Sequence, residues 1–286
     1  MKNIKYFFQS IFIFFLFLTF RVIGLRLSRI LASKIFLIFG PFFRSRKIIE
    51  NNISLAFPQS NLEFKKNIIK NMWTSYGKIL AEYIFIKHFR NINTQKFLEI
   101  RGQEILDEVK ISKNPVIFIS GHFDNFELMA MHIEKSGIDL AAIYRPLNNI
   151  FLNPLMENIR KKYICRKQIK KGISGTKEIL KHFKSGASIA LMIDQRVSQG
   201  TKTLFFSKEA LTTTIPAQFV KKFNCKIIPI YIERKNNENF MLEIMEPITF
   251  NNDLSIENIT IKLNQLLEKM IIRNPYQWIW SHNRWK

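Results

Sequence analysis

Brief apolar runs and longer helical patterns alternate along most of this chain, and their order predicts an α/β fold. From residue 97 onward, the runs are bounded by glycine, proline or polar residues and separated by stretches with helical spacing of apolar positions. The runs predict strands at 97–101, 115–120, 139–144, 188–193, 226–232 and 240–245, and the periodic stretches predict helices at 103–111, 125–136, 151–163, 174–184, 213–223 and 255–272. No repeat or linker divides this series, so it predicts one domain with a mixed β-sheet flanked by helices.

An uncharged apolar run, residues 6–20, lies near the start of the sequence and predicts a membrane anchor. As a helix it would cover about 22 Å, short of the roughly 30 Å hydrocarbon core. Spanning therefore requires an extension to Leu27, with the intervening arginines reaching back to the interface. No small-residue signal-peptidase site follows, and the arginines and lysines that do follow would keep the body on the cytoplasmic side. We predict an uncleaved anchor at 1–27, spanning or half-embedded, and one further domain at 28–286.

Two helices are predicted between the anchor and the first strand. Residues 25–43 mix apolar side chains with arginine and lysine, a pattern typical of a helix lying at a membrane interface. Ser60 and Glu63 have the spacing of a capping box, which predicts the start of a long helix running to about His88.

The charge balance restricts the partners of the protein. With 44 lysines and arginines against 22 acidic residues, the formal charge is +22, which requires an anionic partner. An anionic membrane surface or a phosphorylated substrate would serve; nucleic acid is disfavoured because the cations are spread along the chain with few basic–aromatic clusters. The 27 phenylalanines fit membrane association, although a genome biased toward phenylalanine codons would have the same effect. Two distant cysteines form no zinc motif and indicate a reduced, cytoplasm-facing body.

The stretch 117–129 carries the strongest candidate chemistry. His122 and Glu127 fall where a buried strand turns into a helix, the end of a strand at which open α/β sheets present functional groups. A largely neutral histidine can accept a proton from an alcohol, and a nearby carboxylate can orient its ring. The alternative is a helix-capping histidine with a dipole-favoured glutamate in the first turn, and spacing alone does not decide. His132 continues a five-residue step that shares no helix face, so no metal site is predicted.

Further candidate groups lie beyond other predicted strands and at the end of the sequence. Arg145 follows one strand, Asp194 follows another, and Thr212 begins a threonine triplet before a helix, a start able to bind an anion. Taken singly, each has an ordinary explanation as a solvated cation, a turn residue or a helix cap. The last residues combine tryptophans such as Trp278 and Trp280 with cations, which suits a membrane interface; the alternative is that they seal the edge of the core.

Taken in order, these segments resemble a known family. The heptapeptide Gly121-His-Phe-Asp-Asn-Phe-Glu127 resembles the H-x4-D/E motif of glycerolipid-type acyltransferases, in the form found in bacterial lipid A late acyltransferases. The agreement covers nearly the whole chain and extends, in order, to Tyr144-Arg-Pro146, Asn149, Arg160, Asp194-Gln195, Phe205-Phe206 and Trp280-Ser-His-x-Arg284. Two positions depart from the family: Asp124 stands where glycine is common, and Ser207-Lys208 stands where Gly-Arg is usual.

The resemblance implies an O-acyltransferase with a glycerolipid acyltransferase-like fold at the cytoplasmic face of a bacterial inner membrane. The donor would be acyl carrier protein or acyl-CoA, and the acceptor a hydroxyl of a phosphorylated glycolipid of the Kdo-lipid IVA type. No cofactor and no metal are needed because a thioester is already activated, and no G-x-S-x-G motif is present, so direct transfer is expected. The resemblance implies that His122 is the catalytic base, oriented by Glu127, and that the substrate is bound by Arg145, Asn149, Arg160 and Asp194. For Arg160 the alternative is a supporting role in the site, and Asp194 would help to shape the site.

Two alternatives remain at this level. One is a related membrane acyltransferase acting on a lysophospholipid, an aminolipid or another glycolipid. The other is a non-enzymatic basic membrane-binding protein.

Overall fold

A seven-stranded mixed sheet lies at the centre of the fold. The computed structural model describes residues 2–236 and 238–286. In chain order, the strands are β1 (Leu98–Arg101), β2 (Ile117–Ser120), β3 (Leu140–Tyr144), β4 (Lys167–Lys170), β5 (Ser188–Met192), β6 (Thr201–Phe205), β7 (Lys208–Thr212), β8 (Ile227–Arg234) and β9 (Phe240–Ile244). The order across the sheet is β1-β9-β8-β2-β5-β3-β4, and all neighbours are parallel except β8 and β9. Strands β6 and β7 form a separate antiparallel hairpin.

Helices flank this sheet and precede it. In chain order, they are α1 (Lys2–Phe43), α2 (Arg46–Ala56), α3 (Leu62–Ile84), α4 (Ile86–Asn91), α5 (Gln103–Ser112), α6 (Glu127–Lys135), α7 (Asn153–Ile159, continued by a π-helical turn at Arg160–Ile164), α8 (Ile173–Lys184), α9 (Ile215–Phe223) and α10 (Ile256–Arg273). Short 3-10 turns occur at Thr94–Lys96 and Pro275–Gln277. The prediction of an α/β fold with a mixed sheet flanked by helices is confirmed.

The central strands are apolar because both faces of the sheet are covered. Strands β2 and β8 are buried along their whole length, and Ile117 of β2 pairs with Ile227 of β8 on one side and Ile189 of β5 on the other. Parallel pairing of β2 with β5 brings their carboxyl ends together at one edge of the sheet. The functional groups that follow these two strands therefore become neighbours.

Three strands carry too weak a pattern to be predicted. In β4 the sequence Lys-Gln-Ile-Lys leaves Ile169 as its one apolar side chain, since the strand lies at the edge of the sheet. The hairpin of β6 and β7 turns at Phe206 and Ser207, both with positive φ (51° and 58°). Asparagine or glycine at the two turn positions usually identifies a two-residue hairpin in a sequence, and neither residue is present at this turn.

Helix α1 is bent at Gly24, whose φ of 78° lies outside the helical region. Before the bend, one stripe of the helix that includes Phe17 and Phe20 packs into a small apolar cluster with Ala81 of α3. The remaining apolar side chains of this half, such as Phe12, are exposed. Among the helices in the described ranges, α1 is the one long and apolar enough to cross a membrane.

Helix α3 begins one residue later than the predicted capping box. Asn61 is its N-cap and accepts a hydrogen bond from the backbone N–H of Phe64 at 2.8 Å, whereas the Ser60 hydroxyl donates to the carbonyl of Phe57. The prediction of a Ser60 cap was wrong because asparagine caps a helix equally well and was the next residue. The helix also ends at Ile84, where a break separates it from α4.

The aromatic tail packs into the core. Trp278 and Trp280 are fully buried, so their predicted place at a membrane interface is wrong, and the alternative, a sealed core edge, is what the structure shows. Arg284 is buried as well, with its guanidinium 4.7 Å from the ring of Phe205. It donates a hydrogen bond to the Thr212 hydroxyl at 2.7 Å. Thr212, predicted as the first residue of an anion-binding helix start, therefore already binds a protein group.

Candidate active site

His122 and Asp194 meet at the carboxyl ends of β2 and β5. The His122 Nδ1 lies 2.7 Å from Asp194 Oδ1, and the backbone N–H of His122 donates to Asp194 Oδ2, also at 2.7 Å. The indole N–H of Trp278 donates to the same Oδ2 at 2.8 Å. Both carboxylate oxygens are therefore occupied, and together they fix the ring and the backbone of the histidine.

The Asp194 carboxylate is ionised although it is completely buried. Burial raises the pKa of a carboxyl group, but the adjacent His122 and the hydrogen bonds from His122 and Trp278 hold the pKa of Asp194 below its usual value. A buried anion of this kind stabilises an imidazolium formed next to it. Asp194 is thus the hydrogen-bond partner of the histidine, and its predicted role in substrate binding stays a prediction.

The second ring nitrogen of His122 points away from Asp194. The nearest polar neighbour of this Nε2 is the Gln195 amide nitrogen at 3.5 Å. The edge of the ring packs against Phe126, with centroids 4.7 Å apart. Beside it runs a slot lined mainly by apolar side chains, which include Met72, Tyr76, Ile79, Phe126 and Trp278.

Glu127 binds an arginine and a tyrosine. Its Oε1 accepts hydrogen bonds from Arg160 Nε at 2.9 Å and Nη2 at 2.7 Å, and a further one from the Tyr83 hydroxyl. These hydrogen bonds join Glu127 to Arg160 and Tyr83 and not to His122, so the orienting role of Glu127 stays a prediction. Glu127 begins α6, and its side chain lies toward α3 and the end of α7. The carboxylate that contacts the His122 ring is that of Asp194, at the end of β5.

Arg160 is held on several sides in this second cluster. Its Nη2 also donates to the Tyr83 hydroxyl at 3.0 Å, and its guanidinium lies 5.7 Å from the ring of Tyr144. Burial opposes the charged form, but Glu127 and Tyr83 raise the pKa of Arg160 above its usual value, so the cation is permanent. The predicted substrate-binding role of Arg160 remains a prediction, and two of its three guanidinium nitrogens, Nε and Nη2, bind protein groups.

The two remaining predicted residues lie on the loop after β3 and differ in environment. Asn149 is buried: it accepts from the Ser10 hydroxyl at 3.0 Å and donates to the Tyr6 carbonyl at 2.9 Å, which ties the loop to α1. Arg145 is exposed, and within residues 2–236 and 238–286 it makes no ion pair. Of the two, Arg145 is the one free to meet a ligand.

Sequence reasoning missed the parts of the site that come from distant segments. Trp278 was singled out only as an aromatic tail residue, and Tyr83 was not singled out as a site residue. Neither carries a local signal, because each contributes one polar atom from an otherwise apolar ring. Within the part of the chain that the structure describes, no three His, Cys, Asp or Glu side chains gather to hold a metal ion.

Comparison with known proteins identifies the family. The sequence matches the family described as bacterial lipid A biosynthesis acyltransferase over residues 1–286. It is 26% identical over 254 residues to the lipid A biosynthesis lauroyltransferase of Escherichia coli K12, covering 85% of this chain and 79% of that protein. It is 23% identical over 261 residues to the palmitoleoyltransferase of the same organism, covering 90% and 84%.

Among solved structures, one similar chain is the 1-acyl-sn-glycerophosphate acyltransferase of Thermotoga maritima, with 14% identity and a TM-score of 0.42 over 87% of this chain and 98% of that one. The family match spans the full sequence and includes the histidine motif and the segment around Asp194. The chain therefore belongs to the bacterial lipid A biosynthesis acyltransferase family and is an acyltransferase enzyme.

Proposed function

We propose that the enzyme transfers a fatty acyl chain from acyl carrier protein or acyl-CoA to a hydroxyl of a phosphorylated lipid A precursor of the Kdo-lipid IVA type. The observation that carries the proposal is the His122–Asp194 pair, in which a buried carboxylate orients the imidazole. Such a pair supplies the base that this transfer needs. The relatives' names, a lauroyltransferase and a palmitoleoyltransferase, support a fatty acyl substrate.

In the proposed reaction, Nε2 of His122 takes the proton from the acceptor hydroxyl as its oxygen attacks the thioester carbonyl. The imidazolium that forms is stabilised by the Asp194 carboxylate. As the tetrahedral intermediate collapses, the carbon–sulfur bond breaks, the new carbon–oxygen ester bond remains, and the proton passes from His122 to the departing thiolate. General base catalysis of this type contributes about 10²–10⁴-fold.

In this proposal, Glu127 and Arg160 act indirectly, through the position of α6. Glu127 neutralises Arg160, and together with Tyr83 they fix the start of α6 directly after the loop that carries His122. Arg145 is the proposed contact for a phosphate of the acceptor, because it is an exposed cation that forms no ion pair with any carboxylate among the described residues.

We further propose that the enzyme works at the cytoplasmic face of the bacterial inner membrane, anchored through residues 1–27. The exposed apolar side chains of α1 support this, since they would be covered by lipid. The charge of +22 supports an anionic bilayer and an acidic carrier protein or phosphorylated acceptor as partners, and no nucleic acid is proposed.

Mass spectrometry of lipid A from cells with and without the gene for this chain tests the proposal. We expect cells without it to accumulate lipid A lacking one acyl chain, and expression of the wild-type chain to restore that chain. The His122→Ala variant is the matched control and should not restore it. Unchanged lipid A together with altered phospholipids or aminolipids would instead assign the acceptor to the related class of membrane acyltransferases.

A further inference from the structure

Two arginines and two carboxylates from four parts of the chain form a buried cluster beneath the loop that carries His122. The members of this charge cluster are Arg29 of α1, Glu82 of α3, Asp124 of the loop and Arg234 at the end of β8. Arg234 donates to both oxygens of Glu82 at 2.7 and 3.0 Å and to both oxygens of Asp124 at 2.6 and 3.2 Å. Arg29 Nε donates to Glu82 at 2.6 Å. All four are buried, and their charges sum to zero.

The charge cluster holds the loop of His122 at two places. Asp124 is bound through its carboxylate, and the amide of Asn125 donates to Glu82 at 2.7 Å. Asp124 and Asn125 are the second and third residues after His122. A shift of Glu82 or Arg234 therefore changes the orientation of the His122 backbone at the end of β2. Asp124 has a φ of 32°, a backbone conformation that persists only where the surroundings fix it.

A second connection runs from the charge cluster to the partner of His122. The Gln277 side chain accepts from the Arg234 backbone N–H at 2.7 Å and donates to the Arg234 carbonyl at 2.9 Å. The Gln277 carbonyl accepts from the backbone N–H of Asp124 at 2.9 Å, and the next residue, Trp278, donates to Asp194. Arg234 therefore stands behind both the loop of the histidine and the tryptophan that holds its carboxylate.

The cluster is a tightly coupled electrostatic unit. Burial raises the pKa of a glutamate, but Arg234 and Arg29 hold the pKa of Glu82 below its usual value, so Glu82 stays charged. Removing one member of such a buried set leaves another ion without compensation, and the structure must then rearrange around it. Rearrangement at this position acts directly on the active-site loop.

We propose that Arg29 and Glu82 are positioning residues for acyl transfer, acting through Arg234 and Asp124 on the loop of His122. Turnover then depends on how α1 is seated against the body of the enzyme. The activity measurement for this inference rests on the proposed function, whereas the contacts of the charge cluster are independent of it.

Arg26 supplies a matched control on the same helix. It lies three residues before Arg29, its side chain is 84% exposed, and its ion pair with Glu238 is a surface contact at 3.5 Å. Replacing either arginine by methionine removes one positive charge from α1. Of the two, Arg29 alone belongs to the charge cluster, so a difference between the variants reports the cluster and not the charge of the helix.

The test compares Arg29→Met with Arg26→Met in the full-length protein in detergent, by acyl-transfer kinetics and by deuterium uptake of the peptide covering residues 121–127. For Arg29→Met we expect kcat to fall at least about tenfold with KM within about twofold, since sub-ångström misplacement of a base impairs the chemical step. Deuterium uptake should rise in 121–127 and not in the central strands. Arg29→Lys, which keeps the charge, should recover part of kcat, and Arg26→Met should match wild type.

Two results would overturn the inference: Arg29→Met with the kcat and uptake of Arg26→Met, or a rise in uptake spread evenly over the protein, which would indicate general destabilisation. If Arg29→Met does not fold, Arg29→Lys decides, because it keeps the charge of the cluster while losing the planar guanidinium that binds Glu82. A folded Arg29→Lys variant must have a kcat below that of Arg26→Met and raised uptake confined to 121–127, and wild-type values would refute the role. A wild-type enzyme inactive toward every thioester donor would refute the proposed function, while the uptake comparison would still decide the positioning.

Discussion

Two carboxylates near the histidine proposed as the base have similar surroundings but different neighbours. Asp194 and Glu127 are both buried, and each accepts a hydrogen bond from an aromatic side chain. Asp194 binds His122, whose charge changes during a proton transfer, whereas Glu127 binds Arg160, whose charge does not. A carboxylate beside a base stabilises charge that appears in the reaction, and a carboxylate beside an arginine is already neutralised. The neighbour, and not the distance from the motif histidine along the chain, therefore decides the role.

The largest effect should come from removing the base itself. His122→Ala deletes the proposed acceptor of the hydroxyl proton, so we expect acyl transfer to fall at least about 10²-fold while the protein stays folded and bound to membranes. Single-turnover acyl transfer and flotation with liposomes measure the two properties. Transfer at a rate near wild type in a folded variant would contradict the assignment of the base.

Asp194→Asn tests the first carboxylate. The amide keeps the size of the side chain but removes the charge that stabilises the imidazolium, so kcat should fall by at least about tenfold, and by less than in His122→Ala. Trp278→Phe, which removes only the indole donor to Asp194, is the graded control and should lose less than Asp194→Asn. A loss in Asp194→Asn that is confined to KM would mean that Asp194 binds substrate, as the sequence first indicated.

Glu127→Gln tests the second carboxylate, and it should affect stability more than chemistry. Its removal leaves the Arg160 cation buried without its partner, which costs on the order of 3 kcal/mol of folding free energy. Chemical denaturation should reveal that loss, while kcat per folded molecule should fall less than in Asp194→Asn.

The double variant Glu127→Gln/Arg160→Met sharpens this result. Because it removes both charges, it should be more stable than the sum of the two single losses predicts. If Glu127→Gln instead keeps full stability and loses as much kcat as Asp194→Asn, the two carboxylates share one role and the comparison fails.

The smallest effect is expected for an arginine without any carboxylate. Arg145 contrasts with Arg160 because it is exposed and unpaired within the described residues. Arg145→Gln should raise KM for a phosphorylated acceptor several-fold and leave kcat and stability unchanged, with a smaller difference at high salt, since exposed charges are screened. The same KM shift with an acceptor that lacks phosphate would show that Arg145 does not bind that group.

Most of the sheet and half of the site could be predicted from the sequence. Periodicity reports whether a local stretch has a buried side, and it correctly gave the apolar strands, from the predicted run at 115–120 to that at 240–245. It could not give β4, with its single apolar residue, or the hairpin whose turn is Phe206-Ser207. The histidine was found because its motif is local. Its true partner was not, because Asp194 lies 72 residues away and only the parallel pairing of β2 with β5 brings it near.

These long separations have a consequence for synthesis of the enzyme. Trp278 lies 84 residues beyond Asp194, and Asn52 donates to the carbonyl of Trp280, 228 residues away. Contacts so distant in sequence form late, because closing the loops between them costs entropy before any contact compensates. On the ribosome, α1 emerges long before the segment around Trp278 can pack. The nascent protein would therefore have its apolar helix while it is still inactive. Acyl transfer would begin only when the last strands and the segment around Trp278 have packed next to His122.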